Sequence, residues 1–145
     1  MPLGERPRFP IHDLFVRPLE AGGQDGITRL RVLGHSDHLL RRFGAVEILR
    51  LSAGRTFGPS LQPLADEVWA LEEGEAHLFW RDDRVGSPTS GAEHRLLAKP
   101  PQMWLVPFGV AFAVRASRPC ALLRLSTHES GVETAALELP WPEGW

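Results

Sequence analysis

The sequence predicts an all-β fold, an antiparallel sandwich or barrel, and three observations carry that expectation. Short runs in which apolar and polar residues alternate recur along the chain. Turn signals such as AGGQDG, GSPTSG, KPP, PFG and SRP separate them at short spacing. The one helix-like stretch, DHLLRRF, is two turns long.

Length and composition bound the rest. With 145 residues, 43% hydrophobic and 23% charged, the chain reads as one domain, residues 1–145, with residues 1–26 as an N-terminal arm. A net charge of -2 and the absence of a basic run with interleaved aromatics exclude nucleic acid as an expected partner. Nothing approaches a bilayer-spanning apolar run, and MPLGERPRFP lacks the apolar centre of a signal peptide, so no membrane contact and a cytoplasmic location are expected. The lone Cys120 sits in PCALLRL and reads as a buried, inert thiol. There is no Tyr, no Asn and only one Lys (Lys99), which leaves little for a phenol acid or a lysine base.

In chain order, the proline-rich arm holds one short strand around Leu14–Leu19 and is expected to pack on a neighbouring subunit. Ile27–Leu33 alternates Leu30 and Val32 against Arg29 and Arg31 as a half-exposed strand. Ser36 and Gly44 bracket the short helix. Val46–Ala53 is a strand with Val46, Ile48 and Arg50 on one face and Glu47, Leu49 and Leu51 on the other, and Arg50 is expected to face a cavity. Glu67–Leu71 and Glu75–Trp80 read as a hairpin turning at Gly74. A polar loop over 81–93 and a short strand in HRLLAKPP follow, then Met103–Val106, Val110–Ala116 and Cys120–Thr127. The tail LELPWPEGW packs on the barrel or on a partner.

One stretch narrows the fold. Gly54 to Gly74 keeps the spacing of a cupin motif: Gly, five residues, His-x-His, Glu, six residues, Gly. Ser60 and Gln62 stand where the histidines belong, Glu67 at the glutamate and Gly74 at the closing glycine. The fold class expected is therefore a cupin double-stranded β-helix, or jelly roll. The absent imidazoles leave too few ligands for a metal, so neither metal nor cofactor is expected.

Over residues 45–142 the chain also resembles the dTDP-4-dehydrorhamnose 3,5-epimerase family. The likeness rests on GRTFGPSLQ, on GEAHLFWRDDR running into SPTSG, on VPFGVAFAV and on CALLRLSTH. It implies a metal-free jelly roll, usually a dimer, that binds a thymidine-diphosphate sugar in the barrel. It also implies proton removal beside a C4 ketone by a histidine, with a tyrosine protonating the opposite face. Carried over residue by residue, the base histidine falls on Ser60, its neighbouring arginine on Phe57, a lysine near Glu67, a second histidine on Phe112 and the tyrosine on Arg124. The expected function is a divergent, metal-free cupin that binds an anionic small molecule or nucleotide sugar without that chemistry. The alternative is an active sugar-nucleotide isomerase or epimerase using Glu67 or His77 as base.

The ligand-binding candidates are Arg50, Arg55, Ser60, Gln62, Glu67, Trp69, Phe112 and Arg124. Arginines suit diphosphate oxygens, and Phe112 or Trp69 would stack on a base. Arg124 lies in an apolar strand and must pair with Glu67 or face an anion. The competing reading of Glu67 is a carboxylate paired with Arg50 or Arg55. His35 and His38 read as surface residues, and His94 and His128 are isolated. A homodimer is expected.

Overall fold

The computed structural model of the chain describes residues 10–140. Its strands are β1 (Val16–Pro18), β2 (Ala21–Gly22), β3 (Arg29–Leu30), β4 (Ala45–Leu51), β5 (Thr56–Leu61), β6 (Glu67–Asp82), β7 (Glu93–Ala98), β8 (Gln102–Val106), β9 (Val110–Ser126) and β10 (Leu137–Glu138). All but β2 and β3 belong to one antiparallel sheet that runs β1-β8-β6-β9-β5-β10, with β4 also on β9 and β7 also on β6. This is the expected cupin jelly roll. No helix of the described residues is long and apolar enough to cross a membrane.

The long strands β6 and β9 run through both halves of the cup. The first half of β6 pairs with β8 and with the end of β9, and its second half pairs with β7 and the start of β9. Along β6 the inward residues are Trp69 and Leu71, then Ala76, Leu78 and Trp80. Their parity changes because the register against β9 shifts between Leu71 and Ala76. An extra residue in one strand flips every later side chain to the other face. The bulge at Glu72–Glu75 therefore lets one bent strand line a single interior from end to end.

This corrects the hairpin expected at Gly74. The chain does not reverse there, because both halves of β6 continue antiparallel to β9. Gly74, at φ 97°, instead permits a close crossing, since a Cβ on it would lie 2.3 Å from the Pro119 carbonyl oxygen. Ser117-Arg118-Pro119 likewise interrupts nothing. These residues continue β9 opposite the bulge, where the ladder is already broken and a proline costs little.

Two apolar layers hold the sheet. The interior contains Trp69, Trp80, Trp104, Phe112, Val114 and Leu122 among its buried members. On the outer side Val68, Ala70, Met103 and Leu105 are covered by Phe15, Leu19 and Leu39, with Leu30 and Val32 against them. Each such large side chain taken from water contributes roughly 1.5–3 kcal/mol. The described part of the arm thus packs on its own sheet, through β1 on β8 and through Phe15 and Leu19, where packing on a neighbour was expected. The masking of the outer face follows the alternation seen in the sequence, although only Arg29–Leu30 of Ile27–Leu33 pairs as a strand.

The expected helix after Ser36 is a single 3₁₀ turn, His35–Asp37. Asp37 explains the difference. Its carboxylate accepts the Gly34 N–H at 2.7 Å and two guanidinium bonds from Arg17 at 3.0 and 3.1 Å. That pairing holds its pKa below the ordinary value and ties the turn to β1. His38 then adopts φ 54°, which ends the turn. In the tail, Leu137–Glu138 pairs with β5, while Trp141 and Trp145 lie outside the described residues.

Candidate ligand site in the barrel interior

Residues directly opposite on antiparallel strands share a face, so the register decides which candidates meet. Ser60 opposes Phe112, and Trp69 lies between Trp104 and Arg124. Glu67 opposes Val106 and Ser126, and Glu47 opposes Arg124. Phe112, Trp104 and Val106 belong to the interior cluster, which puts Ser60, Glu67, Trp69 and Arg124 on the same inner face. Gln62 follows Ser60 by two residues and is 4% exposed. The interior candidates named from motif spacing therefore do converge.

At the centre is an ion-paired cluster. Arg124 Nε donates to Glu67 Oε2, and its Nη1 donates to Glu47 Oε1 at 3.0 Å. The guanidinium also lies over the rings of Phe57 and Trp69, at 5.4 and 5.5 Å. Burial pushes the Glu67 pKa up, and the Glu47 charge adds to that, while Arg124 opposes it. The indole N–H of Trp69 also favours the charged carboxylate but falls short of hydrogen-bond geometry.

Around the cluster stands a wall of rings. Trp69 stacks on Trp104 at 6.4 Å with 9° between planes, and Phe112 meets Trp69, Trp80 and Trp104 at 5.4, 5.4 and 6.1 Å. Four polar atoms in this interior are buried without a hydrogen-bond partner: Gln62 Oε1 and the indole N–H groups of Trp69, Trp80 and Trp104. Buried polar groups are nearly always paired, so four together in one interior mark a place able to hydrogen-bond a polar guest.

Three candidates are not in this interior. Arg50 opposes Ala121 on the outer side and is exposed, because Leu49 and Leu51 take the inward positions of β4. The expectation that Arg50 faces a cavity is corrected, and the true inward polar residue of that strand is Glu47. Arg55 is exposed in the turn before β5. Neither partners Glu67, whose guanidinium is Arg124. His77 opposes Leu97 and Arg115 and alternates with the inward Leu78, so it projects from the other face of the sheet. Among the described residues no group of three His, Cys, Asp or Glu could hold a metal ion. Cys120 is buried, its pKa is raised by burial, and its Sγ–H faces the Glu75 and Arg118 carbonyls.

Sequence reasoning missed Glu47, Trp80 and Trp104. The signal for Glu47 was its period-two match to Leu49 and Leu51; for the tryptophans it was alternation within β6 and β8.

The motif elements DDR, SPT and P-x-G meet elsewhere, at Asp82. Its carboxylate is fully buried and accepts bonds from Arg84 N, Nε and Nη2, from Ser87 Oγ at 2.6 Å and from Thr89 Oγ1 at 2.7 Å. Arg84 in turn donates to the His12 carbonyl at 2.7 Å, and a Cβ on Gly109 would strike its side chain at 2.5 Å. These elements form a scaffold knot that fastens the start of the described chain.

The fold is a cupin jelly roll in which Ser60 on β5 faces Phe112 on β9. By sequence, no family model matches the chain, and neither does any curated protein. By structure it is similar to a dTDP sugar isomerase from Desulfovibrio desulfuricans G20, with a TM-score of 0.80 and 18% identity over 92% of this chain and 88% of that one. A dTDP-4-dehydrorhamnose 3,5-epimerase from Elizabethkingia anophelis NUHP1 gives 0.80 and 16%, over 94% and 80%. A dTDP-6-deoxy-D-glucose-3,5-epimerase from Legionella pneumophila Philadelphia 1, solved with dTDP-4-keto-L-rhamnose, gives 0.79 and 17%, over 90% and 74%. The chain shares its fold with these three structures.

Proposed function

We propose that this protein is a metal-free cupin that binds a nucleotide sugar or a related anionic small molecule and does not carry out the histidine and tyrosine proton transfers of the epimerases. The observation that carries the reading is the replacement of chemistry at positions that still converge. Ser60 faces Phe112, which cannot exchange a proton, and Arg124 stands clasped by Glu67 and Glu47 where the resemblance puts an acid. A carbon acid beside a ketone needs a base near neutral pKa and an acid across the ring, and losing either removes on the order of 10²- to 10⁴-fold in rate. The ring wall and the unpartnered indole N–H groups support a sugar as guest. We further propose a cytoplasmic homodimer that meets along β4, where Val46 and Ile48 are exposed on a strand that, among the described residues, pairs only with β9.

The test pairs calorimetric titration of dTDP-sugars with deuterium incorporation at the carbons flanking the ketone of dTDP-4-dehydro-6-deoxyglucose in heavy water. Binding without exchange is expected. Absence of binding by any nucleotide sugar would overturn the ligand class.

A second reading rests on the placement of Glu67, a carboxylate 4% exposed on the inner face beside Trp69, where burial pushes its pKa up, the direction a general base requires. Exchange at an enzymatic rate, abolished in Glu67→Gln, would establish it. His77, on the other face of the sheet, has no such support.

A further inference from the structure

The clasp on Arg124 is uneven. Glu67 is 4% exposed and holds Nε from within the barrel. Glu47 holds Nη1 from strand β4 with 49% of its side chain in solvent. Two carboxylates share one guanidinium; burial pushes the Glu67 pKa up, and the Glu47 charge adds to that. The rings of Phe57 and Trp69 flank the guanidinium. A buried cation in an aromatic-walled interior is thus closed, on its solvent side, by a carboxylate of its own chain.

We infer that Glu47 occupies an anion position on Arg124, and that the interior takes a sugar bearing its own carboxylate, of the uronic-acid class, which replaces Glu47 on Nη1. This rests on the nucleotide-sugar reading above and names the kind of sugar. The exchange is balanced. One carboxylate leaves as another arrives while Glu67 keeps its bond to Nε, so the charge around Arg124 is the same before and after. Glu47 swings into water at little cost, because half-exposed ion pairs contribute little. The rings stack on the apolar face of the pyranose, and the unpartnered indole N–H groups and Gln62 Oε1 meet its hydroxyls. A neutral sugar has nothing to offer Nη1 and leaves Glu47 in place, so Glu47 competes with the ligand carboxylate alone.

The experiment is calorimetric titration of wild type and Glu47→Gln with UDP-glucuronate, UDP-glucose and free glucuronate, after circular dichroism confirms that the variant is folded. Wild type should prefer UDP-glucuronate to UDP-glucose. Glu47→Gln should tighten UDP-glucuronate roughly three- to fivefold, the scale of one released exposed ion pair, and leave UDP-glucose within about twofold. Equal affinity for the two nucleotide sugars in both proteins would overturn the inference and leave the nucleotide-sugar reading standing. Free glucuronate bound with the same Glu47 dependence, with no nucleotide sugar bound, would uphold the inference and remove that reading. No binding of any of the three to either protein would overturn both.

Discussion

Asp82 and Glu67 are both buried carboxylates on β6, one at its end and one at its start, and each bonds an arginine; yet their proton affinities move in opposite directions. Burial raises both. At Asp82, donors from Arg84, Ser87 and Thr89 outweigh it, and the pKa falls well below the usual carboxylate range. At Glu67, one shared guanidinium and an incomplete approach by Trp69 do not, and the pKa rises. Counting donors separates a carboxylate whose charge the fold fully satisfies from one whose charge it leaves short of partners.

The sharpest way to break this contrast is Asp82→Ala. It strands Arg84, Ser87 and Thr89 around an empty centre and releases the tie to His12. Removing one partner of a buried, hydrogen-bonded pair costs about 3–5 kcal/mol, so chemical denaturation should show a large loss or an unfolded protein. A loss under about 1 kcal/mol would show that burial, and not the bonds, sets this site. The pH dependence carries the sign. The folded pKa of Asp82 is depressed, so its stabilisation is present above the unfolded value near 4 and is lost as pH falls toward the folded value. Glu67 behaves oppositely. Its folded pKa is raised, so its favourable contribution exists below the unfolded value and is lost as pH rises through the folded one. Stability against pH should therefore have an acid limb that flattens in Asp82→Asn and a decline at higher pH that flattens in Glu67→Gln. Identical limbs in both variants would contradict the comparison.

Gly74 lies between the two sites and joins them, since the bulge there turns the second half of β6 inward. Gly74→Ala meets a left-handed φ, about 1–3 kcal/mol of strain, together with a backbone contact at 2.3 Å. A clear fall in thermal midpoint is expected, with blue-shifted tryptophan fluorescence retained if only the bulge relaxes. An unchanged midpoint would mean that the bulge is not needed to bring Trp69 and Trp80 into one interior. Glu67→Gln should cost far less than Asp82→Ala, under about 1 kcal/mol at neutral pH. The charge it removes is already disfavoured, and Arg124 keeps Glu47.

The sequence carried the fold and half of the site. The Gly54–Gly74 spacing placed Ser60, Gln62 and Glu67 on the inner face because strand period and motif spacing are both local properties. What could not be read locally was which face of β4 points inward. Val46, Ile48 and Arg50 alternate as cleanly as Glu47, Leu49 and Leu51, and only the pairing of β4 with β9 decides between them. The hairpin at Gly74 failed for a related reason. A glycine after two glutamates marks a turn or a bulge equally well, and the choice depends on β9, which lies more than thirty residues on. The knot at Asp82 was visible as motifs, but the motifs pointed to family chemistry when their side chains serve the scaffold.

The smallest expected effect is on Glu47, and it tests the comparison most finely. Glu47 differs from Glu67 in one respect that matters: half its side chain is in water, so its bond to Arg124 is screened and contributes at most about 1 kcal/mol. Glu47→Gln should therefore leave the denaturation midpoint almost unchanged. Its effect should appear instead at its neighbour. Burial is the main cause of the raised Glu67 pKa and the Glu47 charge adds to it, so removing Glu47 should lower that pKa, read by carbon-detected NMR titration of the Glu67 carboxyl. Asp82, held by its own donors at the far end of β6, should not move. A Glu67 titration unchanged in Glu47→Gln would mean that burial alone sets it and that the two carboxylates do not compete for Arg124. A stability loss of several kcal/mol would mean that Glu47 is a fixed part of the fold, unable to leave Arg124 for a ligand.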